Sequence, residues 1–131
     1  MRLPAARFVG TALSPDYLVR IQPVTPETVT VLSAPRLMRK LWAKGTGAMT
    51  IGKRIFVDPA VLERGGRELT ALLMHEMVHA RQWQERGSRR FLTSYLRQYL
   101  VARITGATHR EAYLAIEAEV EAREISRSFS G

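Results

Sequence analysis

The residues His75-Glu76-Met77-Val78-His79 place two imidazoles and a carboxylate within five positions. If this stretch is helical, the two histidines, four residues apart, share one face with their Cβ atoms about 5–6 Å apart. Both can then reach one metal ion. Glu76 is offset by one residue, so its carboxylate is directed beside that ion and can reach a water bound to it. Zinc lowers the pKa of bound water to about 7, and a neighbouring carboxylate can accept the proton. The spacing is the one metal-assisted hydrolysis uses.

The surroundings predict the helix. Arg67 to Glu85 contains neither Gly nor Pro. Leu69, Leu72, Leu73, Met74, Met77, Val78 and Trp83 recur at helical spacing, and Gly87 ends the run. A hydrolytic zinc site takes three protein ligands and keeps one position open. The chain has no Cys, so the third must be His, Asp or Glu. His109 is the only other histidine of the three. The other source is the acidic helix around Glu117, Glu119 and Glu121, whose alanines at 112, 115, 118 and 122 allow close approach to another helix. Periodicity does not choose among these glutamates.

The remaining chain supplies the scaffold. Pro4, Pro15, Pro23 and Pro26 predict an irregular arm over 1–27, with one short strand at Tyr17–Ile21. Val29–Leu32 reads as a strand. Pro35 opens a short helix, Arg36–Ala43, with Leu37, Leu41 and Trp42 expected on its buried side. Ala48–Ile51 and Arg54–Val57 flank Gly52-Lys53 and predict a β-hairpin. Asp58-Pro59 stops the second strand. Ser88 is placed to cap a helix over Arg89–Thr105. Thr108-x-x-Glu111 is a capping-box pattern that opens a third helix running to about Ser126, and the last residues, Ser128–Gly131, are expected to fray.

The 131 residues and 46% apolar content fit one domain, and the elements read above make it α+β: a few N-terminal strands, the His75–His79 helix, then two further helices. Strands and a short helix occupy 28–58, and the helical part with the metal site occupies 66–126. Lacking Cys, the chain has no disulfide, thiolate zinc site or cysteine nucleophile. No stretch free of Asp, Glu, Lys and Arg exceeds eight residues, so no membrane span is expected. The start, MRLPAARFVG, does not read as a signal peptide, which points to a cytoplasmic setting.

With Lys+Arg 20 against Asp+Glu 12, the net charge is +8. Arginines concentrate between 81 and 110, and acids gather from Glu111 to Glu124. The middle helices could therefore dock an anionic partner.

Four features in order resemble the small gluzincin-type metallopeptidases, the minigluzincins. They are the hairpin Thr50–Val57, the stretch His75–His79 continued by Ala80-Arg81-Gln82-Trp83, a linking helix with Tyr95 and Tyr99, and Glu119-Val120-Glu121-Ala122. Together they span about residues 48–123. In such families the third zinc ligand is a glutamate on a later helix, commonly E-x-x-A followed by Asp or Asn. Glu119 and Ala122 match that register, so the resemblance implies a Zn²⁺ site of His75, His79 and Glu119 with Glu76 as catalytic base. Arg123 stands where Asp or Asn often follows, and Glu117 where related sequences often carry Pro. The resemblance further implies a cleft over the metal, lined by Arg54–Val57 or its hairpin mate, where an extended peptide or protein substrate pairs by backbone hydrogen bonds.

Two other functions fit the same residues. One is a catalytically inactive zinc-binding interaction module. The other is a nucleic-acid-directed protease resembling the Spartan-like enzymes, which would favour His109 as third ligand. Tyr95, Tyr99 and Tyr113 are the candidates to stabilise an oxyanion.

Overall fold

The computed structural model describes residues 2–9, 13–42 and 45–130. Two of the expectations above, at Ala43 and Gly131, fall outside them. The architecture is α+β, with a small sheet followed by a helical half.

The sheet contains β1 (Arg2–Pro4), β2 (Thr30–Ser33), β3 (Ala48–Ile51) and β4 (Arg54–Val57), in spatial order β1-β2-β4-β3. The hairpin β3–β4 is antiparallel, with Thr50 opposite Ile55 and Ile51 opposite Arg54. Gly52 takes φ +63, a conformation L side chains rarely adopt, and so permits the tight connection. β2 runs parallel to β4, which makes β4 interior and leaves β3 as an edge strand beside the helix that carries His75 and His79. Of the two strands that could have lined a cleft, it is therefore the hairpin mate, Ala48–Ile51, that occupies the edge.

The described residues of the N-terminal arm form regular elements, contrary to the proline-based expectation. β1 pairs antiparallel with β2, and Ala6–Val9 forms a one-turn helix, α1. Tyr17 lies in a helix, α2 (Pro15–Arg20), rather than in a strand. Pro15 occupies the first turn, where its missing N–H costs nothing, and Ser14 Oγ accepts from Tyr17 N–H. The same prolines that exclude a long helix here start or flank short ones. Tyr17 and Ile21 are fully buried, and Tyr17 Oη donates to Met74 O at 2.6 Å.

The short helix α3 spans Arg36–Lys40, and its expected buried residues Leu37 and Leu41 are exposed at 73% and 76%. Pro59–Arg64 forms a further helix, α4, N-capped by Asp58; Asp58-Pro59 both ends the strand and begins this helix.

The central helix α5 runs Gly66–Arg86. It packs against β3 and β4 and against the C-terminal helix, burying Leu69, Leu73, Met77 and Val78 with Val31, Ile55 and Val57 of the sheet. At Gly87, φ is +77, and this left-handed residue lets the chain reverse directly into α6 (Ser88–Ile104). Ser88 is inside α6 and makes no cap hydrogen bond; Gly87 holds the cap position.

The third predicted helix is two. α7 (His109–Ala115) opens on the capping box of Thr108 and Glu111, and α8 runs Glu117–Ser130. Between them Ile116 is extended at ψ 130, and its side chain is buried with Trp83, Phe91 and Ala118. No Gly or Pro marks this break. Side chains satisfy its exposed backbone: Gln98 Oε1 accepts from Glu117 N–H at 2.8 Å, and Arg123 Nη2 donates to Leu114 O at 2.7 Å. Glu117 is the first residue of α8. Within α8, Ala118 and Ala122 are buried and allow close approach to α5; Ala112 of α7 is also buried, while Ala115 is exposed. The helix continues to Ser130, past the expected frayed end. Among the described residues no helix is long and apolar enough to cross a membrane.

Candidate metal centre

His75, Glu76 and His79 lie in the third turn of α5 onward, where the helix is held on both sides. The rings of His75 and His79 are 5.0 Å apart between centroids. Ligand-type atoms of His75, Glu76 and His79 all lie within 4.8 Å of one another, so the group could hold a metal ion. His79 and Glu76 are buried, and His75 is the more exposed of the two histidines.

The structure brings Glu119 to this group. Its Oε2 is 3.0 Å from His75 Nε2, and its Oε1 is 3.0 Å from His79 Nε2. One carboxylate thus faces both imidazole nitrogens. It gets there because the break at Ile116 starts α8 afresh, with Ala118 and Ala122 in contact range of α5. The His75 contact is a hydrogen bond. The His79 contact is close but out of hydrogen-bonding line, and His79 Nε2 is a buried nitrogen without a hydrogen-bond partner among the described residues. Two imidazole nitrogens and a carboxylate around an orphaned buried nitrogen match the donor set of a metal such as zinc.

The other third-ligand candidates are elsewhere. Glu117 is exposed. Glu121 pairs with Arg81 and accepts from Gln82 Nε2 at 2.6 Å. His109 Nδ1 contacts the Tyr99 hydroxyl, not the histidines of α5.

Two residues at the site were not singled out from sequence. Thr50, on β3, donates through Oγ1 to Glu76 Oε1 at 2.8 Å and contacts Glu76 O at 3.1 Å. It is buried, at the inward-facing phase of the strand, and pins the carboxylate. Gln82, one turn beyond His79, accepts at Oε1 from His79 Nδ1 at 2.7 Å, while its amide N–H groups go to Ala118 O and Glu121. Alternation along β3 and the i, i+3 step from His79 were the only signals for them, and neither is specific.

The electrostatics follow from burial and charge proximity. Burial pushes the Glu76 carboxyl above its ordinary value, opposed by both histidines and by Thr50. For His79 burial favours the neutral ring, but the adjoining Glu119 and Glu76 carboxylates outweigh it and raise it to about 9. Glu119 would also be raised by burial, yet the two histidines hold it well below the carboxylate range. Burial, then the Glu119 charge, raises both Tyr95 and Tyr113, so each is a neutral hydroxyl at physiological pH. Tyr95 Oη is 3.5 Å from Glu119 Oε1, and Tyr113 lines the cavities on both sides of the site. Tyr99 is turned to His109 instead.

Comparison with family models, with curated proteins and with solved structures finds no match to this chain.

Proposed function

We propose that the protein is a zinc metallopeptidase of gluzincin type, with His75, His79 and Glu119 as metal ligands and Glu76 as general base. The single observation that carries this reading is the convergence of Glu119, from a helix that begins 38 residues after His79, to 3.0 Å from both histidine nitrogens, with Glu76 Oε2 farther, at 3.9 Å from His75 Nε2. Zinc bound there would act as a Lewis acid toward a peptide carbonyl and toward water. Glu76, held by Thr50 and raised by burial, takes the proton of the attacking water and returns it to the leaving amine. The neutral hydroxyls of Tyr95 and Tyr113 are the donors available to a developing oxyanion.

The experiment is Glu76→Gln in zinc-loaded protein. Peptide hydrolysis should fall by at least about a hundredfold, the scale of a positioned acid–base group, while zinc content is unchanged. Full activity in that variant would remove Glu76 from the mechanism.

A second reading has its own observation. Arg89, Arg90 and Arg97 of α6, with the carboxylate of Glu117 beside them, line a hollow of about 620 Å³. An anionic partner, nucleic acid included, would bind there with an affinity that falls steeply as salt is added. Absence of binding to single- and double-stranded oligonucleotides at low salt would exclude nucleic acid.

A further inference from the structure

We infer that the cleft between β3 and α6 takes an extended polypeptide segment bearing large apolar side chains, on one side of the bond to be cut. This deepens the peptidase reading and rests on it. The cleft, of about 520 Å³, has Glu76, His79 and Glu119 in its lining, so it opens directly onto the candidate metal centre.

Its walls are apolar on both sides. Met49 and Ile51 of β3 stand on one, 37% and 45% exposed; Leu92 and Leu96 of α6 stand on the other, 46% and 54% exposed. Trp83 and Phe91, buried and 4.6 Å apart between ring centroids, lie deeper. The alternation of β3 explains its share: Ala48 and Thr50 are buried, so Met49 and Ile51 must face outward. On α6, Phe91 and Tyr95 pack into the Trp83 cluster. Leu92, Leu96 and Leu100 follow at four-residue steps on the next stripe and remain about half exposed. Paired, half-exposed apolar walls converging on a few ionisable groups have the make-up of a ligand groove.

The occupant is argued from shape and edge. The lining is concave with ionisable groups in it, which a flat membrane surface does not reach. β3 is the sheet edge, so an extended chain can lie along it. Trp83 Nε1 donates to Thr50 O at 3.1 Å, which occupies that carbonyl. Side-chain burial between the walls therefore carries more of the affinity than a full backbone ladder. The cavity on the other side of Glu76 and Glu119 is mixed, with Glu68, Arg110 and Arg123 beside Val61, Ala71 and Leu72 in its lining. The apolar requirement is accordingly stronger on the β3–α6 side.

The chain's two tryptophans, Trp42 and Trp83, both line the apolar cleft, so intrinsic fluorescence reports its occupancy without requiring turnover. Zinc-loaded Glu76→Gln protein is titrated with a blocked decapeptide carrying a central Leu-Phe-Leu block, with its Ser-Asn-Ser counterpart, and with vesicles of phosphatidylcholine and phosphatidylglycerol. The apolar peptide should give a saturable change, at least about tenfold tighter than the polar one. Leu92→Gln and Leu96→Gln should each weaken it about fivefold, as half a leucine's burial is lost. Leu37→Gln, exposed outside the cleft, should leave it unchanged. Equal binding of both peptides, undiminished binding after the two leucine changes together, or a response to vesicles alone would each overturn the inference. Cleavage is then followed in zinc-loaded wild-type protein. Cleavage indifferent to apolar content would sink the cleft assignment and leave the peptidase reading intact. Tight apolar binding with no cleavage would do the reverse.

Discussion

Gln82 fixes which nitrogen His79 presents to the candidate metal centre. Its Oε1 lies 2.7 Å from His79 Nδ1, and its amide N–H groups are committed to Ala118 O and Glu121 Oε1. The amide cannot flip without losing both, so Nδ1 is the protonated nitrogen and Nε2 is left to bind. The same side chain ties α5 to α8, and Glu121 in turn is held by Arg81, which also donates to Arg20 O of the N-terminal segment.

Gln82→Leu should therefore weaken zinc binding by about 10–100-fold, the usual effect of losing a ligand's hydrogen-bond partner. It should also cost about 1–3 kcal/mol of stability from unpaired buried polar groups. Gln82→Glu keeps the acceptor and should retain more of the zinc affinity. A competition titration against a chromophoric chelator, paired with thermal melts, separates the two effects. Equal zinc affinity in wild type and Gln82→Leu would deny the role.

Thr50→Val removes the hydroxyl that holds Glu76 at nearly constant volume. That hydrogen bond favours the ionised carboxylate, so its loss should move Glu76 further upward. The acidic limb of the kcat/KM profile should shift to higher pH by about one unit, consistent with about 1.5 kcal/mol for a hydrogen bond to a charged group. Zinc content should stay at the wild-type level. An unchanged profile would mean that Glu76 does not set that limb.

The helical half was largely legible. Uninterrupted apolar periodicity gave α5 and α6, the capping box gave the start of α7, and glycine with alternating strands gave the β3–β4 hairpin. His75, Glu76 and His79 were readable because their chemistry and spacing lie within one helix. Short helices were not readable: α1, α2 and α4 have too few turns for a periodic signal, and their prolines read equally as breakers or starters. The break at Ile116 carries no Gly or Pro, because burial of Ile116 and hydrogen bonds from distant Gln98 and Arg123 hold it open. Thr50 and Gln82 are defined by contacts across elements, 26 and 36 residues apart for the Glu76 and Ala118 partners. Such contacts exist only after folding.

The N-terminal segment should prove integral to stability. Tyr17 is fully buried and its hydroxyl donates to Met74 O on α5. Tyr17→Phe should cost roughly 1–2 kcal/mol, from one buried acceptor left unpaired, and Tyr17→Ala roughly 3–5 kcal/mol. Denaturant melts of the two variants check this. Near-zero cost for Tyr17→Ala would return residues 2–27 to the status of a dispensable arm.

Metal-free protein should lose stability as pH rises. The ordinary histidine value is about 6.5, and His79 in the folded chain is raised to about 9. Its contribution is fully present below 6.5 and is lost between there and about 9. Glu76, also raised, acts in the same direction. Glu119 is lowered, so its contribution persists above the ordinary carboxylate value and is lost only as pH falls below it. The melting temperature without metal should fall by several degrees from pH 6.5 to 9.5, while zinc affinity rises over the same range because protons leave His79. A metal-free melting temperature that climbs with pH would contradict the charge pairing at this site.

The most direct measurement of the central claim is zinc per chain, by elemental analysis after zinc loading and extensive dialysis, for wild type, Glu76→Gln, His79→Ala and Glu119→Ala. One zinc should remain in wild type and in Glu76→Gln, with loss in His79→Ala and a large reduction in Glu119→Ala. No retained zinc in folded wild type, or undiminished zinc in the Glu119→Ala and His79→Ala variants, would contradict the assignment of His75, His79 and Glu119 as a metal centre.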